Sequence, residues 1–143
     1  MSTHMNDVPA LVPELDVSDL EASRAFYVDL IGFVELFSRL DEAFVYLRLH
    51  HVSTADLMLQ QAEGPGRRFR TAPLEPPYGR GINLQISHPD LEGAHRRLRS
   101  AEAVFVVPLE TKAYRTGGTD LHVDQFVIAD PDGYLIRLQR QHQ

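Results

Sequence analysis

An arginine sits in the middle of an alternating apolar strand near the end of this chain. In "DPDGYLIRLQ", residues 130–139, Asp130, Pro131, Asp132 and Gly133 have turn chemistry, since proline presets one dihedral and glycine accepts a positive φ. The strand that follows alternates. Tyr134, Ile136 and Leu138 point one way, and Leu135, Arg137 and Gln139 the other. Arg137 is a permanent cation, suited to pairing with a carboxylate and useless as a metal ligand. Other chemistry-bearing residues offer less. The chain has no cysteine, which removes thiolate nucleophiles, disulfides and cysteine metal sites and agrees with a reducing compartment. Of the seven histidines, His50 and His51 are adjacent and point to opposite faces of a strand. His122 and Asp124 share a face at a loop edge, and His88 and His95 flank a helix. No His-x-x-x-His or facial-triad spacing occurs, so these histidines read as surface or packing residues. The serines and threonines lie in turns or helices, without the context of a nucleophile and its base.

The elements that position these residues belong to a chain of ordinary globular composition. It has 143 residues, 43% of them apolar and 24% charged, which suits one compact domain or two small halves. No apolar run approaches the length of a membrane span and no secretory leader pattern opens the chain, so a cytoplasmic protein with no membrane partner is expected. The formal net charge of −6 argues against nucleic acid as a partner, because such binders carry a basic footprint.

The two halves resemble each other. "LVPELDVSDLEASRAFYVDLIGFVELF" opens the first and "INLQISHPDLEGAHRRLRSAEAVFVV" the second. Each starts with an alternating strand and then carries Asp-Leu-Glu, at Asp19-Leu20-Glu21 and Asp90-Leu91-Glu92. A repeat of this size indicates two copies of one supersecondary unit. Ser18 or Asp19 can cap the first helix, with Leu20, Phe26 and Leu30 as its apolar stripe and Gly32 as its stop. Pro89 and Asp90 start the second, whose stripe is Leu91, Ala94 and Leu98. Strands follow at "FVELFSR", "AFVYLRL" and "ADLMLQQ", and at "VFVVPLE", "VDQFVIA" and "GYLIRLQ". The order is βαβββ twice. The fold class is α+β, with modules at 9–62 and 81–140 in one domain spanning 1–143, joined by a Pro/Gly/Arg-rich loop at 63–80.

Three stretches, "VPELDVSDLEASRAFYVDLIGF", "GPGRRF…PLEPPYGRGINLQI" and "QFVIADPDGYLIRLQ", together resemble the bleomycin resistance branch of the vicinal oxygen chelate superfamily. That superfamily also holds lactoylglutathione lyase, extradiol dioxygenases and fosfomycin resistance enzymes. The resemblance implies two βαβββ modules with curved mixed sheets around a cleft, and a homodimer with small-molecule clefts. It also implies where metal-using members place their ligands: at Val12, near Met58, at Gly81 and at Arg137. Valine and glycine have no side-chain donor, methionine is soft, and arginine is cationic. Neither a metal nor another cofactor is expected, which argues against the lyase, dioxygenase and thiol-transferase reactions that need a Lewis acid.

With Val12 and Gly81 facing the cavity, alternation adds Glu14, Asp16, Asn83 and Gln85. Met58 brings Gln60, and Arg137 brings Leu135 and Gln139. Leu15, Val17, Ile82, Leu84, Ile86, Ile136 and Leu138 then face the helices, and a one-residue slip would invert the whole set. Phe37, Phe44, Tyr46, Tyr78 and Tyr114 are candidate aromatic walls for a flat, cationic or amide-rich ligand. The candidate ligand-binding residues are therefore Glu14, Asp16, Tyr46, Gln60, Tyr78, Asn83, Gln85, Tyr114 and Arg137. The expected function is sequestration of a small molecule, a glycopeptide antibiotic being one candidate. A metal-dependent lyase or dioxygenase relative and a metabolite-binding module are the alternatives.

Overall fold

A computed structural model describes residues 7–142. The chain forms two compact units, Met1–Glu75 and Pro76–Gln143.

In the first unit, β1 (Glu14–Val17) leads into α1 (Leu20–Ala25), which continues as a π-helical turn over Phe26–Ile31. Then come β2 (Val34–Arg39), a short 3-10 turn (Leu40–Glu42), β3 (Phe44–Leu49) and β4 (Ala55–Gln61). The sheet order is β1-β4-β3-β2. The β1–β4 pair is parallel and the other pairs are antiparallel. Asp19 is the N-cap, its Oδ1 accepting from the N–H groups of Glu21 (3.1 Å) and Ala22 (3.3 Å). Gly32 ends the helix at φ 112°, a left-handed conformation that suits glycine. The expected stripe of Leu20, Phe26 and Leu30 is shifted at its end: the buried residues are Leu20, Ser23, Phe26, Tyr27 and Ile31. The π turn is the reason. Gly32 N–H donates to the Tyr27 carbonyl five residues back, so the turn holds an extra residue and Ile31 replaces Leu30 on the packed face.

The second unit repeats the plan. It contains β5 (Asn83–Ser87), α2 (Leu91–Ser100), β6 (Val104–Arg115), β7 (Asp120–Ala129) and β8 (Leu135–Gln141). Its sheet order is β5-β8-β7-β6, again with one parallel pair, β5–β8. Asp90 caps α2 by accepting from Gly93 N–H at 3.1 Å. Leu91, Ala94 and Leu98 are buried, as the periodicity predicts. His95 packs edge-on against Phe105 and Phe126 at 5.4 and 5.1 Å between ring centroids, and buried His88 accepts from Asp90 N–H. Both are structural histidines. Two mixed four-stranded sheets with few helices make this an α+β fold of two βαβββ modules, as expected.

Two local expectations are corrected. The β6–β7 hairpin runs further than the sequence pattern predicts, pairing Arg115 with Asp120, so His122 and Asp124 lie inside β7 and not at a loop edge. Ile82, expected in the core, is 52% exposed. Its N–H closes a turn onto the Gly79 carbonyl, and the strand begins only at Asn83, so strand alternation does not reach it or Gly81.

Candidate functional site

Each sheet has one apolar face and one face that carries polar residues. In the first unit Leu15, Val17, Leu57 and Leu59 are buried on one side. On the other, register pairs Glu14 with Met58, Asp16 with Gln60, Tyr46 with Met58 and Phe44 with Gln60. Glu14 is exposed. Partial burial of its carboxyl and the neighbouring Asp16 charge raise its pKa, while Arg39 pulls it back. Asp16 is paired: Arg70 Nε lies 3.1 Å from its Oδ2. Arg70 also donates to the Ala62 carbonyl, and Arg68 donates twice to the Gln61 carbonyl, at 2.9 and 2.6 Å. Arg68 and Arg70 of "GRRFR" thereby tie the following loop onto the end of β4. Gln60 is buried and donates to the Glu42 carbonyl at 3.2 Å.

Tyr46 is 4% exposed. Phe37 stacks on it at 5.1 Å with 13° between the planes. Its hydroxyl donates to Asp56 Oδ2 at 2.5 Å, and Arg48 grips the same carboxylate through Nε (2.7 Å) and Nη2 (2.8 Å). Burial, then the Asp56 hydrogen bond and charge, push the Tyr46 phenol up to about 12. Tyr46 is thus held inside a buried polar network. The members that sequence reasoning missed are Arg48 and Asp56. The available signal was their shared parity with Tyr46 and Met58, which puts two opposite charges on one face.

In the second unit Asn83, Gln85 and Ser87 on β5 pair with Leu135, Arg137 and Gln139 on β8. Arg137 is in turn opposite Val127 on β7. This face has both occupied and free polar groups. Gln139 donates to Ser87 Oγ at 2.5 Å. Gln125 donates to Glu110 Oε2 at 2.9 Å and to the Tyr114 hydroxyl at 2.6 Å. Arg137 is half-buried, and its Nε is sealed from solvent with no hydrogen-bond partner among the described residues. An unmet buried donor costs about 1–3 kcal/mol, and more when charged. Next to it Asn83 and Gln85 are exposed. Further along the face is a depression of about 530 Å³ lined by Tyr78, Gly81, Ile82, Asn83, Ala129 and Leu135 among others. Tyr78 is braced there by Tyr134, edge-on at 6.1 Å.

The four positions inferred for metal ligands do not form a donor set. Val12 precedes β1, Met58 faces Glu14 across the β1–β4 pair, Gly81 lies in the turn before β5, and Arg137 is a cation. Among the described residues no three His, Asp or Glu side chains converge as a metal site requires. A divalent ion does not fit these residues. Also among the described residues, no helix is long and apolar enough to cross a membrane.

Residues 13–138 match the sequence profile of the Glyoxalase/Bleomycin resistance protein/Dioxygenase superfamily, and the chain belongs to it. Solved structures share the fold. TioX from Micromonospora sp. ML1 is 17% identical, with 94% of this chain and 100% of that one covered and a TM-score of 0.69. A glyoxalase/bleomycin resistance protein/dioxygenase from Alicyclobacillus acidocaldarius is 15% identical, covering 98% and 96%, with a TM-score of 0.62. A protein of unknown function from Agrobacterium tumefaciens is 23% identical, covering 92% and 93%, also at 0.62. No curated protein matches the chain significantly.

Proposed function

We propose that this protein is a metal-free small-molecule binder of the bleomycin resistance type, holding its ligand by affinity without transforming it. The observation that carries the reading is Arg137, a half-buried guanidinium with an unmet Nε on the polar face of β8, where metal-using relatives are inferred to place a carboxylate. Sequestration needs only complementary contacts, so losing the ligand set removes no required chemistry. Asn83, Gln85 and Arg137 supply the polar contacts, and Tyr78 and Tyr114 the aromatic ones. Glu14 is exposed on the face of the first unit. Asp16, Gln60 and Tyr46 hold that face in shape through their internal partners.

The reading includes a homodimer. The edge strand β6 supports it, with Val104, Val106 and Leu109 exposed at 64%, 52% and 44%. Such apolar edges are normally covered. The test is a thermal-shift screen against glycopeptide drugs and small metabolites, run with and without a chelator. A ligand that raises the melting temperature equally in both conditions supports the reading. Stabilisation that the chelator abolishes contradicts it.

A further inference from the structure

We infer that the ligand of this binding face carries an anionic group, a carboxylate or its equivalent, attached to a flat apolar body. The inference rests on the proposed binding function and names the ligand class. It reverses the preference for cations that the acidic residues and the net charge of −6 first suggest.

Three observations within the second unit carry it. The first is charge. Among the described residues Arg137 is the cation on this face of strands β5 and β8, and its Nε is buried without an acceptor there, whereas Arg80, which also lines the depression, already donates to the Pro76 and Pro77 carbonyls. The acidic side chain on the neighbouring part of that face, Glu110, already accepts from Gln125. A guanidinium offers donors in a planar fork and no acceptor, so the group that meets it is an acceptor, best an anionic one. The second is the neighbours. Gln85 lies beside Arg137 in register and is exposed, adding an amide N–H₂ to the donor set.

The third is shape. Leu135 and Asn83, one step back along the same two strands, line the 530 Å³ depression together with Tyr78 and Ile82. Two residues along a strand advance about 7 Å. An anionic group on Arg137 therefore places a body of one or two rings over Leu135 and Ile82. Gly81 leaves that approach open, since a Cβ there would meet nothing within 4 Å. In the first unit Asp16 is already bound by Arg70.

The experiment uses three probes of one shape: 2-naphthoate, neutral 2-naphthamide and cationic 2-naphthylmethylammonium. Binding is followed by naphthyl fluorescence, which meets no tryptophan background because the chain has none. The expected result is naphthoate binding roughly tenfold or more tighter than naphthamide, as a charge-assisted bidentate contact provides. Arg137→Gln removes that difference and Arg137→Lys restores part of it. Arg115→Gln, which deletes the same charge at an exposed position, leaves it unchanged. Equal binding of acid and amide, or a preference that survives Arg137→Gln, overturns the inference. Tighter binding of the ammonium probe overturns it while leaving the binding function standing. Failure of all three probes to bind or stabilise the protein overturns both.

Discussion

Arg48 and Asp56 lie opposite each other on β3 and β4 and are joined by two hydrogen bonds, Nε to Oδ1 at 2.7 Å and Nη2 to Oδ2 at 2.8 Å. Their side chains are only 5% and 0% exposed. Removing one member of such a pair strands the other charge in the interior. Asp56→Asn or Arg48→Met alone should cost about 3–5 kcal/mol, read from the urea midpoint. Replacing Tyr46, Arg48 and Asp56 together by Phe, Met and Leu should cost much less, because no unmet polar atom remains. If each single variant were within 1 kcal/mol of wild type, roughly the scale of an exposed pair, the network would not hold the face.

The Tyr46 phenol gives that network a pH signature. Its pKa in the folded protein is raised from 10.0 to about 12, so folding favours the neutral form. The resulting stability is fully present below pH 10 and is lost as pH rises through about 12. Between about pH 9 and pH 12 the stability advantage of wild type over Tyr46→Phe should shrink. Denaturant midpoints for the two proteins across that range would check it. A difference that stays constant with pH would show that the hydroxyl is not held by Asp56.

What the sequence could and could not reveal follows from the period of each signal. Leu15 and Val17, and Ile136 and Leu138, alternate with polar neighbours, and the structure buries those four leucines, valines and isoleucines. Asp19 and Asp90 are caps that short-range chemistry identifies. The π turn at Phe26–Ile31 has no two-residue or 3.6-residue signature, so Ile31 was missed in favour of Leu30. The Arg48–Asp56 pair needs the β3–β4 register, which no local pattern carries. Arg68 and Arg70 come from a loop without periodicity, and only the fold brings Arg70 to Asp16. Arg137 was legible because a cation interrupts an otherwise regular strand. Its unmet Nε was not, because burial of one atom depends on every neighbour.

Inside β7 a second polar cluster, around Asp124, controls the acid limb. Asp124 accepts from Arg140 (2.6 Å) and Thr111 (2.7 Å) and lies 2.6 Å from His142 Nε2. The Arg140 contact, then Thr111 and His142, hold its carboxyl well below the ordinary 3.8. The stability this contributes is present above that ordinary value and is lost as pH falls through the depressed one. Asp124→Asn should therefore melt below wild type near neutrality, with the gap closing below about pH 4. Melting temperatures from acid to neutral pH would show a constant gap if the cluster were only a surface arrangement.

Gly133 fixes the turn that feeds β8 and hence aims Arg137. It has φ 99°, and a Cβ there would come within 2.5 Å of Pro77 Cβ. Proline is rigid, so the clash cannot be relieved by a rotamer change. Gly133→Ala should cost about 2 kcal/mol or more and weaken naphthoate binding in the fraction that remains folded. A variant as stable as wild type would show that the turn has another accessible conformation.

The proposed function requires the Arg137 guanidinium to occupy the place where metal-using relatives are inferred to hold a carboxylate. The direct measurement is equilibrium dialysis of untagged protein against zinc, nickel and ferrous ions, followed by elemental analysis of the protein. A metal-free binder should hold far less than one ion per chain of each metal, with ligand binding unchanged after dialysis. One tightly held ion per chain, lost on substituting Glu14 or a histidine, would contradict the proposed function.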